Sequence, residues 1–529
     1  MLKTTFGLIA ITLLSFTSQA QITVSEWSEL EKSPGRLLNL LPRDANDFFA
    51  LRRTGRGIFG GIAVSSHKNL ETQLKEKISL RANNSPANFE GSTIVGDHFV
   101  VFMSDKQEGR NNFFMQEYGE DLEPIGNAFE LASYELESKR ARFAGTFSLY
   151  QSENRNFFSV VWTIPGRKDE ETKYGYKVFD ADLQEVSGGT YEFPFESKYC
   201  RINTMHLSNT GDFFTVVTEY QESEDKKLFK NYANYKTMHI YHINSDGMED
   251  VEINLEGKRV EALNINSDNN RQFILTGTYG ERKKAGIKGL FYMKLDFKSQ
   301  EILAEGFEEF SDDFITQDWS DRQKKKNAKK KARGKDAEPK LYEYVMRDIH
   351  ILEDGSVVGS MEQFYIRVVT TRDPRTGATT TTYYYYYNDV IAFKVGADGG
   401  FDWHTKIDKY QVSTNDGGYF SSYERFVDDG KMYMIFNDNS MNYDESGNFS
   451  DPEKLRAATL SKRKNTVALV EVDLESGEFS RKMFFDRSEL GAIAVPKLFN
   501  VDYNNGEVLV YAVKGTKEKF GIIEFGEQD

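Results

Sequence analysis

A short apolar run recurs along the chain at intervals of roughly 50 to 80 residues, and this repetition restricts the possible folds more than any other feature. Most copies begin at a polar turn residue and continue with Phe, Val, Ile, Leu or Met. The eight copies are residues 47–51, 98–102, 156–161, 212–217, 272–275, 356–358, 431–436 and 507–511. Short apolar runs between turn residues are typical of strands that are buried on both faces.

An alternating strand follows each apolar run, most clearly at residues 176–180, 292–296 and 468–473. Repetition at this spacing, built from strands and turns, is typical of a β-propeller made of four-stranded antiparallel blades. We therefore predict an all-β propeller with eight blades, and seven blades are the alternative. The eighth repeat ends after its third strand, at Phe525. We expect a strand within residues 22–30 to complete that repeat and close the ring.

The sixth repeat, residues 341–411, displays the predicted blade most completely. Its strands are predicted at residues 345–352, 357–372, 379–395 and 401–410. In the turn between the second and third strands, Pro374 fixes φ and Gly377 supplies a left-handed position. The third strand carries four threonines and then five tyrosines, residues 383–387. The simplest interpretation is a stiff hairpin between blades, and the functional alternative is an aromatic surface for a sugar or a partner protein.

Residues 1–20 have the organisation of a secretory signal peptide. Lys3 is positively charged, residues 6–16 are apolar, and Ser18 and Ala20 place small residues at the cleavage site. Residues 21–529 are then predicted to form a single exported β-propeller domain that neither spans a membrane nor carries a lipid anchor. Cys200 is the only cysteine, so the fold is expected to depend on its hydrophobic core rather than on a disulfide.

The formal net charge of −15 argues against general nucleic-acid binding. A basic insertion, residues 311–340, separates the fifth and sixth repeats. Within it, residues 322–335 hold nine basic residues and no acidic one, and we call this segment the basic arm. It is predicted to be a solvated linker or a short helix. The functional hypothesis is that the arm docks on an anionic surface through Lys324, Lys325, Lys326, Lys329, Lys330, Lys331 and Arg333.

No catalytic motif is present in the sequence. The patterns of serine hydrolases, zinc peptidases, phosphate-binding loops and dinucleotide-binding folds are all missing. His239 and His242 stand three residues apart on a predicted strand, so they point to opposite faces and cannot share a metal ion. Residues 437–448 are rich in Asn and Asp but do not fit the EF-hand calcium loop. We therefore assign no catalytic residue, no metal site and no cofactor from the sequence.

Basic residues recur in the predicted turns between second and third strands, which all emerge on one face of a propeller. The candidates for binding are Arg56, Arg110, Arg167, Lys227, Lys283, Arg375 and Lys517. Acidic residues such as Glu108 and Asp373 occupy some of the same turns, and exposed hairpin tips are often charged. The hypothesis is that this face approaches an anionic partner, whereas ordinary solvated turns are the simpler interpretation.

The segment between the sixth and seventh repeats supplies a second set of candidate binding residues. Asn415, Asp416 and Tyr419 surround the consecutive glycines Gly417 and Gly418. Flexible glycines beside polar groups are suited to a pocket, and this loop is expected to lie near the axial funnel of the ring.

Two repeats resemble an uncharacterised group of exported propeller-like proteins from Bacteroidota. The resemblance rests on residues 385–391, Gly399, Trp403, residues 406–407, 409–411, 415–423 and 436–438, and more loosely on the basic insertion before them. It implies a location in a Gram-negative envelope, and it carries over no activity and no site residue. Since the chain ends shortly after a blade strand, we expect it to be periplasmic, with secretion or surface association as alternatives.

We predict from these observations a non-enzymatic binding or scaffold propeller in the periplasm. Its partner would be a protein or an anionic envelope surface, and an outer-membrane assembly or export complex is the specific version of this hypothesis. The alternative is a carbohydrate-binding protein or a hydrolase that uses the axial funnel, where propeller pockets commonly form. Converging carboxylates in a deep axial pocket would favour the enzyme, and a broad charged face would favour the scaffold.

Overall fold

The recurring apolar runs lie in the second strands of eight antiparallel sheets, which are the blades of a β-propeller. A computed structural model describes residues 22, 27–55, 61–82, 85–136, 146–164, 169–222, 234–244, 247–268, 272–317, 319–334, 338–450 and 452–525. The predicted signal peptide lies outside the described residues. The all-β class, the eight blades and the closure of the ring by an N-terminal strand are confirmed.

Strand β1 (Glu31–Lys32) precedes blade one but belongs to blade eight. Blade one contains β2 (Arg36–Asp44), β3 (Asp47–Thr54), β4 (Gly61–Lys68) and β5 (Glu71–Ile78). A small sheet of β6 (Arg81–Ala82) and β7 (Ser85–Pro86) leads to blade two, with β8 (Asn88–Val95), β9 (His98–Gln107), β10 (Arg110–Tyr118) and β11 (Pro124–Glu135). Blade three contains β12 (Thr146–Gln151), β13 (Phe158–Ile164), β14 (Glu171–Phe179) and β15 (Glu185–Glu196).

Blade four contains β16 (Cys200–Leu207), β17 (Phe213–Tyr220), β18 (Tyr235–Asn244) and β19 (Gly247–Ile253). Blade five contains β20 (Lys258–Ser267), β21 (Gln272–Glu281), β22 (Gly289–Asp296) and β23 (Glu301–Glu309). Helices α1 (Asp312–Thr316) and α2 (Asp321–Lys331) follow. Blade six contains β24 (Tyr344–Ile351), β25 (Val357–Arg372), β26 (Thr379–Val395), β27 (Phe401–Ile407) and a short extra strand, β28 (Gln411–Thr414).

Blade seven contains β29 (Glu424–Asp428), β30 (Lys431–Asn439), β31 (Asn465–Asp473) and β32 (Phe479–Asp486), and the short helix α3 (Arg487–Leu490) follows. Blade eight contains β33 (Ile493–Ala494), β34 (Asn500–Asp502), β35 (Glu507–Lys514) and β36 (Lys517–Glu524). Single 3₁₀ turns occur at Ser197–Tyr199, Ser440–Asn442, Pro452–Lys454 and Pro496–Leu498. No helix among the described residues combines the length and the apolar character that a membrane crossing requires.

The hydrophobic core consists of layers between neighbouring blades rather than one central cluster. The apolar second strand of blade two shows why, because Phe99, Val100, Val101 and Phe102 are all buried. Val101 packs toward blade one and Val100 toward blade three, so both faces of the strand are covered. The last layer combines residues of blades seven, eight and one, which completes the ring.

The two ends of the chain meet in blade eight. Glu31 pairs with Glu518 and Lys32 with Lys517, so β1 is the outer strand of this sheet. The predicted segment, residues 22–30, ends just before this pairing. It nevertheless joins the closure, because the Ser28 amide donates to the Phe520 carbonyl at 2.8 Å and Ile22 is buried in the last core layer.

A buried ion pair fixes the same junction between blades eight and one. Arg52 Nε donates to Glu518 Oε1 at 2.7 Å, and both side chains are almost completely buried. Tyr511 donates to the other oxygen of Glu518 at 3.0 Å, and Arg52 also donates to Ser65 Oγ at 2.7 Å. Removing a single partner would leave a buried charge, so loss of either side chain should destabilise this junction.

Candidate functional site

The two faces of the ring differ in the size of their loops. We call the BC face the one that carries the turns between second and third strands and the connections from one blade to the next. Turns on the opposite face are short. Within the described part of the chain, the longest connections on the BC face are residues 310–343 between blades five and six, the far part of the β25–β26 hairpin, and residues 440–464 in blade seven. The elaborated part of the molecule is therefore the BC face of blades five to seven.

The β25–β26 hairpin is the longest feature of this face. Its ladder pairs Val357 with Val395 at one end and Arg372 with Thr379 at the other. The first strand, β24, pairs with β25 only as far as Gln363, so the remainder of the hairpin projects beyond the blade. At the tip, the Asp373 carboxylate accepts from the Arg375 amide at 2.7 Å, which lowers the pKa of Asp373. The predicted limits of these two strands and the tip turn are those observed, whereas the first strand of the blade is Tyr344–Ile351 and the fourth ends at Ile407 rather than at residue 410.

Apolar side chains remain exposed on one face of the projecting hairpin. Ile366, Val368 and Tyr383 are 46 %, 53 % and 44 % exposed, and Val368 stands directly opposite Tyr383. Exposed apolar side chains that form a continuous patch mark interaction surfaces more often than isolated ones do. On the other face, Tyr365 and Tyr386 stack with their ring centroids 4.6 Å apart.

A buried polar network anchors the root of the hairpin. Glu362 is completely buried in β25, where its Oε1 accepts from Lys409 Nζ at 2.6 Å and its Oε2 from Ser422 Oγ at 2.7 Å. Arg347 also bonds Oε2 of Glu362. Burial by itself raises the pKa of a carboxyl group, but the cations Lys409 and Arg347 outweigh it and lower the pKa of Glu362. The network joins strands of blade six to the segment that enters blade seven.

Tyr387 marks the point where the hairpin meets the centre of the BC face. Lys497, in the 3₁₀ turn between β33 and β34 of blade eight, donates to its hydroxyl and lies 4.0 Å from the centre of its ring. Burial lowers the pKa of Lys497 to about 8 and raises that of Tyr387 to about 12. Gly418 packs directly against the same ring: a Cβ atom at this position would fall 2.4 Å from Tyr387 Cε2. Blades six and eight are thus connected through one tyrosine.

The predicted loop residues lie at this same place, but two of them have structural roles. Asn415 continues the ladder of β26: its amide donates to the Tyr383 carbonyl at 3.0 Å, and its side chain accepts from the Tyr383 amide at 2.9 Å. Asp416 accepts from Ser413 Oγ at 2.6 Å. Tyr419 instead lies under the Arg36 guanidinium, 4.3 Å from its ring centre. Arg36 begins the innermost strand of blade one, so Tyr419 does reach the axial end of the BC face.

The basic turn residues fall into two groups. Arg110, Lys283, Arg375 and Lys517 lie at BC turns, whereas Arg56, Arg167 and Lys227 lie outside the described residues. Arg110 Nε donates to Ser133 Oγ at 2.7 Å, so its guanidinium is partly hydrogen-bonded within its own blade. Lys283 occupies a turn with φ of 66° and is exposed. These positions agree with a basic BC face, and a role in binding stays a prediction for each of them.

Residues 322–331 of the basic arm belong to helix α2, which lies on the BC face because it connects the outer strand of blade five to the inner strand of blade six. No side chain of α2 is buried. Ser320 and Gln323 form a capping box at its N-terminus, and Lys329, Lys330 and Lys331 occupy its last turn, where cations favour the helix dipole. The arm is therefore a helix with its own stabilising ends, and Lys324, Lys325, Lys326 and Arg333 are exposed as well.

An axial cavity of about 500 Å³ lies between the inner strands of blades three to eight. Its lining is mainly neutral and polar, with side chains that include Gln151, His206, Asn266, His350, Asn500 and Tyr503. Burial lowers the pKa of His206 and of His350 to about 4, so both imidazoles are neutral near pH 7. His350 stacks on Tyr503 with ring centroids 4.7 Å apart.

One of the carboxylates that line this cavity, Asp502, is held in an ion pair. Asp502 is buried and lies 3.1 Å from Arg155, a residue of blade three that also donates to the Pro42 carbonyl. Glu153 and Glu424 line the cavity as well. No group of three metal-ligating His, Cys, Asp or Glu side chains occurs within the part of the chain that the structure describes.

The sequence did not single out Arg36, Arg347, Glu362 or Lys497. Glu362 carried a usable signal, since it is a charged residue in the middle of a strand that begins with the apolar residues Val357 and Val358. A charge at such a position needs a buried partner. Arg36 and Lys497 carry no local signal, because only the closure of the ring brings them near Tyr419 and Tyr387. Arg52, whose position near the first BC turn predicts an exposed cation, is instead buried against Glu518.

Comparison with known proteins gives no family assignment: no protein-family model matches the chain, and no curated protein matches its sequence. Solved structures do resemble it. The polysaccharide lyase Uly1 matches with a TM-score of 0.39 and 11 % identity over 94 % of this chain and 100 % of its own. Sqt1 from Chaetomium thermophilum, bound to the N-terminus of ribosomal protein L10, matches with a TM-score of 0.37 and 9 % identity, over 94 % of this chain and 100 % of its own.

Prolyl oligopeptidase B from Galerina marginata has a TM-score of 0.37 and 8 % identity, over 93 % of this chain and 56 % of its own. At these identities the likeness concerns the fold alone. A lyase, a peptidase and a protein bound to a ribosomal protein share this likeness, so it distinguishes neither an enzyme from a binding protein nor one ligand class from another.

Proposed function

We propose that this chain is a non-enzymatic binding or scaffold propeller of the cell envelope, which engages a protein partner through its BC face. The observation that carries the proposal is the concentration of long connections on one face of an otherwise regular ring. A blade needs only a tight turn between its second and third strands, as Glu108 and Gly109 provide in blade two. The projecting hairpin and the basic arm exceed that need, and both expose side chains suited to contact.

Rigid support at the base of the hairpin is consistent with this role. Because Glu362 accepts from Lys409 Nζ at 2.6 Å and from Ser422 Oγ at 2.7 Å, the hairpin starts from a fixed position. A preordered surface loses less conformational entropy when it binds than a flexible loop does. The basic arm would add attraction for an acidic partner or an anionic envelope surface. Periplasmic residence, within an outer-membrane assembly or export complex, is the specific form of the proposal.

The test is affinity purification of the tagged chain after cross-linking in its own envelope, with three variants. The first replaces residues 366–385 by Asn-Gly, which leaves Tyr365 opposite Tyr386 and ends the hairpin in a two-residue turn. The second changes the basic residues of the arm to Gln. The third, a control, changes the exposed charge Glu475 on the opposite face to Lys.

We expect one partner to co-purify with the unmodified chain and with the control, and to be lost or reduced at least tenfold with the shortened hairpin. The neutralised arm should weaken recovery at raised salt, because its contribution is electrostatic. Equal recovery of every protein with all four chains would contradict a binding role for the BC face.

The axial cavity favours a second candidate function, the binding of a small neutral polar ligand such as a carbohydrate. Its amides, neutral imidazoles and the Tyr503 ring could supply hydrogen bonds and a stacking surface. An array of oligosaccharides screened against the chain, and against the His350→Ala variant, tests this candidate. Binding that depends on His350 but not on the hairpin would favour it over the scaffold.

A further inference from the structure

The β25 edge of the projecting hairpin, on the side of the inner strand β24, is open. The last ladder pair between β24 and β25 joins Tyr344 to Gln363, and the Phe364 amide then donates to the Glu343 carbonyl at 2.8 Å. Glu343 has φ of 63°, so the preceding chain turns away there. Among the described strands, β25 has only β26 as a neighbour from residue 365 to residue 372. These eight residues form a free sheet edge.

The direction of the free hydrogen-bonding groups follows from the ladder. Along a strand, successive residues direct their N–H and C=O groups alternately to the two sides. Phe364 bonds toward the β24 side, so Ile366, Val368 and Thr370 point the same way, into the open edge. The other ladder agrees, because Tyr383 exchanges bonds with Asn415 on the far side of β26, which leaves Tyr384 to bond Arg367.

Side chains beside this edge select the kind of strand that could pair with it. Ile366 and Val368 form an exposed apolar row on one face, and Arg367 lies between them on the other face. Residues 363–388 contain three arginines and one aspartate. That aspartate, Asp373, is bonded to the amides of the tip turn. The edge is thus basic as well as apolar, although the whole chain carries a formal charge of −15.

Charge distinguishes among the possible occupants. A second copy of this edge would bring Arg367 and Arg372 near the same arginines of its partner, and like charges across a sheet are destabilising. An acidic strand with alternating β-branched residues would instead place carboxylates near Arg367 and apolar side chains near Val368. Addition of a strand to an exposed edge is a common mode of peptide recognition, in which main-chain hydrogen bonds supply affinity.

We propose that the free edge of β25, residues 365–372, binds an extended acidic segment of a partner protein, which adds to blade six as a further strand. This inference rests on the proposed function of the BC face and specifies how that face recognises its partner. The hydrogen bonds would come from Ile366, Val368 and Thr370, and selectivity for acidic side chains on the opposite face of the added strand from Arg367.

Fluorescence anisotropy with the complete chain and synthetic eight-residue peptides tests the proposal. The probe alternates valine and glutamate and carries a fluorophore at its N-terminus. One control peptide has lysine in place of glutamate, and another has the acidic sequence with every second amide N-methylated, so that one of its edges cannot donate. We expect saturable binding of the acidic probe, at least tenfold weaker binding of the methylated peptide, and no saturable binding of the lysine peptide.

Two protein variants separate the main chain from the side chain at one position. Val368→Pro removes an N–H that faces the open edge and leaves the bonds to β26 intact, and edge strands tolerate proline. Val368→Thr keeps that N–H and a β-branched shape. We expect Val368→Pro to weaken binding of the acidic probe at least fivefold, and Val368→Thr to weaken it less than twofold. Equal affinities for the two variants, or equal affinities for the methylated and unmethylated probes, would overturn strand addition.

The proposed function and this inference can fail separately. If the shortened hairpin loses its envelope partner while no acidic probe binds the unmodified chain, the BC face binds by another mode and strand addition is wrong. If the acidic probe binds as expected, its displacement by the purified partner links the two results.

Discussion

The hairpins at the centres of blades two and six begin alike and end differently. In blade two, β9 and β10 pair from Phe99 to Gln107, and a two-residue turn with positive φ at Glu108 and Gly109 closes them. In blade six, the ladder continues from residue 365 to residue 372 beyond the last contact with β24. Blade two shows how much hairpin the ring requires. The additional length in blade six is free to serve another purpose.

The root of the blade-six hairpin should show the largest effect on stability. We expect Glu362→Gln to lower the free energy of unfolding by about 3 to 5 kcal/mol, because it leaves Lys409 buried without a counter-charge. Urea denaturation followed by tryptophan fluorescence measures it. The double variant Glu362→Gln with Lys409→Met should recover part of the loss. If Glu362→Gln unfolded with the same free energy as the unmodified chain, the buried network would not fix the hairpin root.

The next effect concerns the loop that lies on Tyr387. Gly418 and Gly417 both have positive φ, 67° and 70°, but only Gly418 faces a close neighbour. Alanine at either position adds backbone strain of about 1 kcal/mol. Gly418→Ala should cost about 1 to 2 kcal/mol more, because its methyl group overlaps the tyrosine ring. Equal unfolding midpoints in urea for the two variants would contradict the packing of this loop on the hairpin.

The smallest effect compares the two hairpin tips directly. Gly109 and Gly377 have φ of 78° and 73°, and neither is crowded. Gly109→Ala should lower global stability by about 1 kcal/mol, since the blade-two turn ends a buried ladder. Gly377→Ala should cost less than about 0.5 kcal/mol, because an exposed hairpin can open locally without unfolding the ring. Hydrogen exchange should then be faster at Val369, whose amide bonds β26, than at Phe102, and equal protection would refute the distinction.

The sequence predicted the regular parts of the molecule better than the places where distant segments meet. Periodic apolar runs identified all eight second strands, and Pro374 and Gly377 identified the tip turn, because the physical causes of these features are local. The contacts of Lys497 with Tyr387, and of Arg36 with Tyr419, join residues far apart in the chain. Such pairs depend on the angle through which each blade is rotated, and no local pattern records that angle.

Arg52 is a residue for which the local sequence predicts exposure and the structure shows burial. Its position near a BC turn suggested an exposed cation, yet the closure of the ring places Glu518 beside it and buries both. The candidate site was therefore recognised in outline, as a face, while its buried supports were not. Charged residues inside apolar strands, such as Glu362 in β25, are the local sign of these supports.

Closure by β1 has a consequence for the order of events during synthesis. Glu31 and Lys32 are synthesised before any of the eight blades, but their partners, Lys517 and Glu518, are synthesised only after seven of them. The earliest strand must therefore remain unpaired while seven blades assemble. We expect the ring to mature in a final, slow step, during which the unoccupied edge of β36 is the most vulnerable part of the newly made chain.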